Sequence, residues 1–459
     1  LWLLISAILA RVLEPSGLGI WSMILAAATV LNHLLLHWTQ SITQRFGRGE
    51  WLASGQLPKT WSMRWPLLVI GMAIVLLLLA LEPFAWPERF YGLSGGLHWF
   101  ILPALLTLWL MAEVQSLQQV RERFAALAAS PIIADLALLA MLGLLVLASR
   151  YGDGKPDIRF ALACLTAVGS ITWALWLARE LRTCGLDGRL PEASQWRRAT
   201  RFAAPLIPGF LVGYLAEWCD YFLIRHYYSA YEVGIFHPAY QYLLIMVGLP
   251  TALSTVLLPR IVAKSGDDEG ASVQRLVRHS AARLTVAWSV LVLPIVAFLP
   301  GLFAWLLGER YGASVTVLQI LLIAVPGAVV QHVYGIAHFV QGRLVFSTLV
   351  LFGAKSLVNI AVSITLLPAL GVTGSAIGSA ASYLALQWLF VLDQHRHLEL
   401  RHGAGAIGLF IAQASGIALA LVSGIFPRLL VAMLSCLLIL AWARQATLFS
   451  REDVSAMLP

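Results

Sequence analysis

Apolar runs long enough to cross a lipid bilayer recur along this whole 459-residue chain, and no other feature constrains its fold so tightly. A spanning helix needs about 20 apolar residues, because water is absent and every backbone polar group must be satisfied within the segment. Such runs lie near 1–13, 18–40, 65–82, 97–117, 130–148, 159–178, 202–224, 233–257, 281–305, 313–338, 344–367, 373–392, 405–424 and 427–443. The sequence therefore predicts an all-α integral membrane protein of about 14 transmembrane helices. Only Leu1–Ala10 precede Arg11, which implies that part of the first helix is missing. Proline and glycine interrupt many runs, as transporter helices tolerate when neighbours satisfy the freed backbone groups.

The alternatives to a membrane protein fail on composition. Charged residues are 12% of the chain and hydrophobic residues 59%, whereas soluble domains carry roughly 25% charged residues. The net charge of +8 does not indicate nucleic acid, since the basic residues sit in short clusters between apolar runs. Cys164, Cys184, Cys219 and Cys436 have no paired spacing, so neither a disulfide framework nor a zinc site is expected.

The distribution of Lys and Arg orients the chain. With the first terminus in the cytoplasm, the inward loops and the C-terminal tail carry 22 of the 31 Lys and Arg. Among them are Arg45, Arg48, Lys59, Arg64, Arg121, Arg123, Arg197, Arg198, Arg201, Arg260 and Arg343. The outward loops hold eight, namely Arg11, Arg89, Arg150, Lys155, Arg159, Arg225, Arg310 and Arg428, and Lys355 alone falls inside a span. Both termini are then cytoplasmic. The segment around Arg179–Arg201 is basic and reads as a short amphipathic connection, and no loop is large enough to form a soluble domain.

Leu9–Arg45 resembles Leu223–Arg260. Gly19-Ile20 corresponds to Gly234-Ile235 and Arg45 to Arg260, with a Gly-to-Arg spacing of 26 in both, and Arg11 corresponds to Arg225 after a gap. The offset equals six spans. This predicts two parallel six-helix lobes, 1–190 and 191–398, around a central cavity, with two added helices and a tail in 399–459. In transporters built this way the substrate site lies between the halves. Chance similarity of short Gly-aromatic turns is the alternative.

LARVLEPSGLGIWSM at 9–23, DYFLIRHYYSAYEVGIFHPAYQ at 220–241 and LPALGVTGSAIGSAASYLAL at 367–386 resemble the multidrug/oligosaccharidyl-lipid/polysaccharide exporter superfamily, and within it the Wzx-type polysaccharide or O-antigen flippases. Glu14 stands where the family pattern usually has glycine. Asp220 matches an acidic position at the end of the seventh helix, and Gly371, Gly374, Ser375 and Ala376 match the start of the twelfth. The resemblance implies a two-lobe fold, alternating access and a prenyl-diphosphate-linked glycan as cargo in the bacterial inner membrane. It also makes the polysaccharide polymerase and chain-length machinery candidate partners. Two helices beyond the twelfth are also seen in lipid II flippases of this superfamily.

Polar residues within spans are the candidate substrate site, because charge in hydrocarbon is costly and faces a cavity or a partner. Lys355 heads a stripe with Asn359 and Ser363. It either attracts a diphosphate or locks helix packing. His33 and His37, with Gln40 and Gln44, form a stripe in the second span that could line a hydrated wall for sugar hydroxyls. Metal ligation is the weaker reading, for want of a further ligand. Gln331, His332, His338 and Gln341 repeat the theme in the tenth. Tyr240, Gln241 and Tyr242 could stack on sugars or simply pack helices. Arg11, Arg225, Arg45 and Arg260 could bind phosphate or anchor to headgroups. Glu217 and Asp220, on a face with Tyr214 and Tyr221, are ion-coupling candidates, with pairing to Arg225 as the alternative. No cofactor is expected. An enzyme would need convergent catalytic groups, and none are visible. A cation-coupled drug exporter of the same fold, or a lipid II flippase, remains the alternative function.

Overall fold

The structure, a computed structural model, describes residues 2–81, 91–151, 157–185, 190–250, 281–340, 343–397, 404–446 and 448. All regular structure among them is helical. Among the described residues ten helices are long and apolar enough to cross a membrane, or eleven with the bent pair Glu309–Ala324 and Ala328–Gly335. The difference from the expected fourteen has identifiable origins. Two expected spans fall in one tract, Leu4–Ser54, which runs on through a kink, and the apolar helix Ala406–Leu421 is short. The expected run 233–257 extends past the described residues. Large apolar side chains such as Leu144, Leu175, Leu357 and Phe426 are exposed on these helices, as lipid contact requires and water would penalise. The chain is a multi-pass membrane protein.

The chain divides into two compact units, Leu1–Gly234 and Ile235–Pro459. In the first, α1 (Trp2–Leu31) breaks at Glu14, whose φ of 57° and ψ of 171° are not helical. Pro15 accounts for part of this, since a residue before proline is driven out of the α region. The helix then continues through a π-helical turn at Asn32–Leu36, a second at Thr43–Gly47 and α2 (Arg48–Ser54). α3 (Pro58–Ala80) starts with Pro58 in its first turn, and the Glu50 carboxylate accepts from Lys59 N at 2.7 Å, Thr60 N at 2.8 Å and Thr60 Oγ1 at 2.6 Å. An acid at a helix N-terminus satisfies otherwise orphaned amides. α4 (Ile101–Val120), α5 (Phe124–Tyr151) and α6 (Ile158–Leu181) follow. Leu110, Val114 and Leu117 of α4 pack with Trp173 and Leu177 of α6 and with Leu57. The expected amphipathic connection is α7 (Ala193–Ala203), joined through the turn Ala204–Leu206 to α8 (Ile207–Tyr227). α9 (Ala230–Gly248) carries the boundary between the units.

The second unit contains α10 (Ala281–Leu307), α11 (Gly312–Leu321), α12 (Ala328–Val340), α13 (Phe352–Leu370), α14 (Val372–His397), α15 (Ala404–Leu421) and α16 (Ile425–Gln445). α13 and α14 form its tightest pair. Gly374, Ser375, Gly378, Ser379 and Ser382 of α14 are buried, and small residues let membrane helices approach closely.

Candidate functional site

The π-helical turn at Asn32–Leu36 redirects the polar side of the second span, and such turns recur at functional sites. The His33 ring lies parallel to Phe210 of α8, with centroids 6.0 Å apart and planes at 9°. His37 meets both edge-on, His33 at 5.1 Å and Phe210 at 5.0 Å. Asn32 Oδ1, His33 Nδ1, His37 Nδ1 and Gln40 Nε2 are buried and have no hydrogen-bond partner among the described residues. Leaving a buried polar atom unsatisfied costs about 1–3 kcal/mol. Four such atoms lie along one stripe beside an aromatic ring. Gln44 lies beyond it, exposed, and donates to Gln119 Oε1 at 3.4 Å. Among the described residues no three His, Cys, Asp or Glu groups could hold a metal ion.

One turn further, Arg64 corrects the sequence reading. The span map puts it in an inward loop, with Lys355 alone inside a span. The structure instead places Arg64 in α3, 1% exposed, because that helix starts at Pro58. Its guanidinium pairs with Glu113 of α4, with Nη1 2.9 Å from Oε2 and Nη2 on Oε1. It also donates to Thr43 Oγ1 at 2.6 Å and Thr39 Oγ1 at 3.1 Å. The signal for this pair was present. Glu113 is an acid inside the apolar run 97–117, and such an acid requires a partner.

Glu217 and Asp220 differ in environment. Glu217 is exposed and Asp220 fully buried. Tyr214 and Tyr221 are also buried, and Tyr214 Oη donates to the Ala26 carbonyl at 3.0 Å. Arg225 donates to the Tyr228 carbonyl at 3.1 Å, closing the end of α8, and its guanidinium lies against the backbone of Gly92. Arg11 and Arg45 are exposed. Arg260 and Gln341 lie outside the described residues.

In the second unit Lys355 is 1% exposed, and its ammonium sits 3.6 Å from the centroid of the Tyr383 ring of α14. This is a cation–π contact in a desolvated setting. Asn359 and Ser363 are buried on the same face, and Ser363 Oγ donates to Asn359 Oδ1 at 3.1 Å. The polar stripe expected from the sequence is therefore present and enclosed between α13 and α14. Tyr240 is buried and stacks on Phe236 at 5.4 Å, Gln241 is half-buried, and Tyr242 meets Phe303 edge-on. His338 Nε2 lies 2.8 Å from Asp393 Oδ2, and Arg343 clasps the same carboxylate at 2.7 and 3.0 Å. His332 Nε2 lies 3.0 Å from the Val247 carbonyl, and Gln331 adjoins it.

A protein-family model described as polysaccharide biosynthesis protein matches residues 1–264. No curated protein sequence matches the chain. Among solved structures, the fold is similar to that of MurJ, described as a lipid II flippase in an inward closed conformation. The TM-score is 0.64 and the identity 11%, covering 94% of this chain and 98% of that one. It is also similar to the Vibrio cholerae MATE transporter VcmN in the bent form, at TM-score 0.52 and 14% identity, covering 86% of this chain and 97% of that one. An inward-facing multidrug resistance MATE-family transporter of the MOP superfamily gives TM-score 0.56 at 14% identity, covering 86% and 93%. At these identities the likeness establishes the fold.

Proposed function

The chain belongs to the polysaccharide biosynthesis protein family, and from that premise we propose that it is a flippase. In this reading it carries a polyprenyl-diphosphate-linked oligosaccharide across the bacterial inner membrane by alternating access. Both termini lie in the cytoplasm, and the six-helix lobes are 1–190 and 191–398. The observation that carries the reading is the stripe of unpartnered polar atoms on Asn32, His33, His37 and Gln40 beside Phe210. A sugar offers what that stripe lacks. Its hydroxyls donate and accept with amides and imidazoles, and its apolar ring face packs on an aromatic one. A cationic drug offers few hydroxyls and favours acidic walls.

The other candidate residues take graded roles. Arg11, exposed in α1, is offered as a cargo-phosphate contact among the repeat-related bases, whereas Arg225 serves as an anchor of its helix end. Tyr240 and Gln241 are offered as a second sugar-facing pair, and Glu217 and Asp220 as ion-coupling candidates. Lys355 is assigned to packing, because Tyr383 already occupies its charge. The family's description, polysaccharide biosynthesis, favours a glycan-bearing lipid cargo over a soluble drug.

The test is complementation of strains lacking either a polysaccharide repeat-unit flippase or the lipid II flippase, with drug efflux measured in parallel. Restored surface polysaccharide supports the reading. Rescue of the lipid II-deficient strain alone would reassign the cargo, and drug efflux without rescue of either strain would refute the lipid-linked class.

A further inference from the structure

α7 has a composition unlike any neighbouring helix. Ala199 and Ala203 are buried against Ile42 and Met63. On the opposite side Ser194, Arg197, Arg198 and Arg201 follow the i, i+3, i+4, i+7 spacing of one helical face, and together with Phe202 they line a shallow open groove. A second groove, lined by Leu190, Pro191, Ala193, Trp196, Arg197 and Thr200, adjoins it through Arg197. The three arginines are exposed, and none forms an ion pair with a carboxylate among the described residues. This contrasts with Arg48, Arg64, Arg121, Arg123 and Arg343, each of which is paired with an acid. Arg198 is braced over the Phe46 ring at 5.3 Å, so part of the basic face is held in place.

Position supplies the second part of the argument. The helix runs through Ala204–Leu206 into the apolar span α8. At about 1.5 Å per residue, Arg197–Arg201 stand roughly 9–15 Å along the chain before Ile207, on the polar flank of the apolar helix α8. Leu190, 73% exposed, and Phe202, 38% exposed, flank the arginines. Basic side chains interleaved with exposed apolar and aromatic ones are what an interfacial helix presents to a lipid surface.

We propose that α7 is a docking face for anionic phospholipid headgroups, with Arg197, Arg198 and Arg201 receiving the phosphates and Leu190, Trp196 and Phe202 entering the boundary with the acyl chains. Guanidinium groups bind phosphate oxygens in pairs. Each basic residue at an anionic surface contributes roughly a fivefold factor in affinity, so removal of three removes at least about tenfold. The occupant is the bilayer's own anionic lipid.

The experiment uses the full chain in detergent with equal amounts of phosphatidylglycerol and phosphatidylethanolamine, and native mass spectrometry counts the lipids retained. The wild type should favour phosphatidylglycerol. The R197Q/R198Q/R201Q variant should lose that preference at least about tenfold, and R197K/R198K/R201K should keep most of it. Millimolar inorganic diphosphate should leave the lipid bound. Equal retention of both lipids by the wild type, or an unchanged preference in the glutamine variant, overturns the proposal. So does displacement by inorganic diphosphate, which would mark a site for a phosphate group of the cargo. Should the glutamine variant not fold, the wild-type preference and the lysine variant still decide, since loss of preference in folded lysine variant together with diphosphate competition refutes a charge-led lipid face.

Discussion

Gly19 of α1 and Gly234 of α9 meet backbone to backbone. A methyl group on either would stand 3.0 Å from the other's amide nitrogen and overlap a carbonyl oxygen of the facing helix, Ala230 for Gly19 and Pro15 for Gly234. The contact is reciprocal. Gly19→Ala or Gly234→Ala should therefore force the helices apart, at a cost of about 1–3 kcal/mol. Thermal unfolding of the solubilised protein should show the loss. Gly143→Ala, at a helical position with nothing within 4 Å, is the matched control and should be neutral or slightly stabilising. Equal behaviour of all three variants would contradict the close approach.

Glu14 sits at φ 57°, ψ 171°, a region almost restricted to glycine because a Cβ there strains the backbone. Glu14→Gly should relieve about 1–3 kcal/mol of strain, less the interaction Glu14 makes in the fold. A higher unfolding temperature is the expected result, and a marked drop would show that the carboxylate's contact outweighs the strain.

Arg64 and Glu113 are each 1% exposed. Removing either partner strands a buried charge, which typically costs 3–5 kcal/mol. Arg64→Ala and Glu113→Ala should each lower folded yield severely, whereas the double variant Arg64→Met, Glu113→Leu should recover much of it. A double variant no better than the single ones would show that Thr39 and Thr43, rather than the ion pair, carry the interaction.

Much of this architecture is legible in the sequence, and the parts that are not share a cause. Helix positions followed from apolar length, a property of single segments, and α7 followed from a basic, amphipathic stretch. Arg64 falls outside the apolar run because its helix begins early, at Pro58, under a cap supplied by Glu50, a residue of the preceding helix. That pairing is tertiary, and hydropathy does not encode it. The His33–His37 stripe was visible as i,i+4 spacing, but its partner Phe210 is distant in sequence, and only the fold brings the ring to the imidazoles. Lys355 was visible as a charge, yet its environment depends on Tyr383, one helix away.

Lys355 and Tyr383 make a second test of packing against cargo binding. If the cation–π contact ties α13 to α14, Lys355→Ala should reduce folded yield, and Tyr383→Phe should be tolerated because the ring face persists. Tyr383→Leu should resemble Lys355→Ala. A buried cation–π contact contributes about 2 kcal/mol, enough to see in thermal unfolding. Normal yield with lost transport in Lys355→Ala would instead place this ammonium among the cargo-binding groups.

The polar stripe of the second span makes the opposite prediction. Asn32 Oδ1, His33 Nδ1, His37 Nδ1 and Gln40 Nε2 have no partner among the described residues, so their removal sacrifices no such bond in the folded protein. His33→Ala and His37→Ala should leave stability within about 1 kcal/mol of wild type. Each lost hydrogen bond to a sugar hydroxyl is worth about 0.5–1.5 kcal/mol net, so transport should fall roughly two- to thirteenfold per variant. Phe210→Ala removes the ring that both imidazoles contact and should fall with them, whereas Phe210→Tyr should hold. Measuring flipping in proteoliposomes beside the unfolding temperature separates the two effects. Wild-type flipping in both histidine variants would remove the stripe from cargo recognition, and a drop in folded yield without a change per folded molecule would reduce it to a packing element.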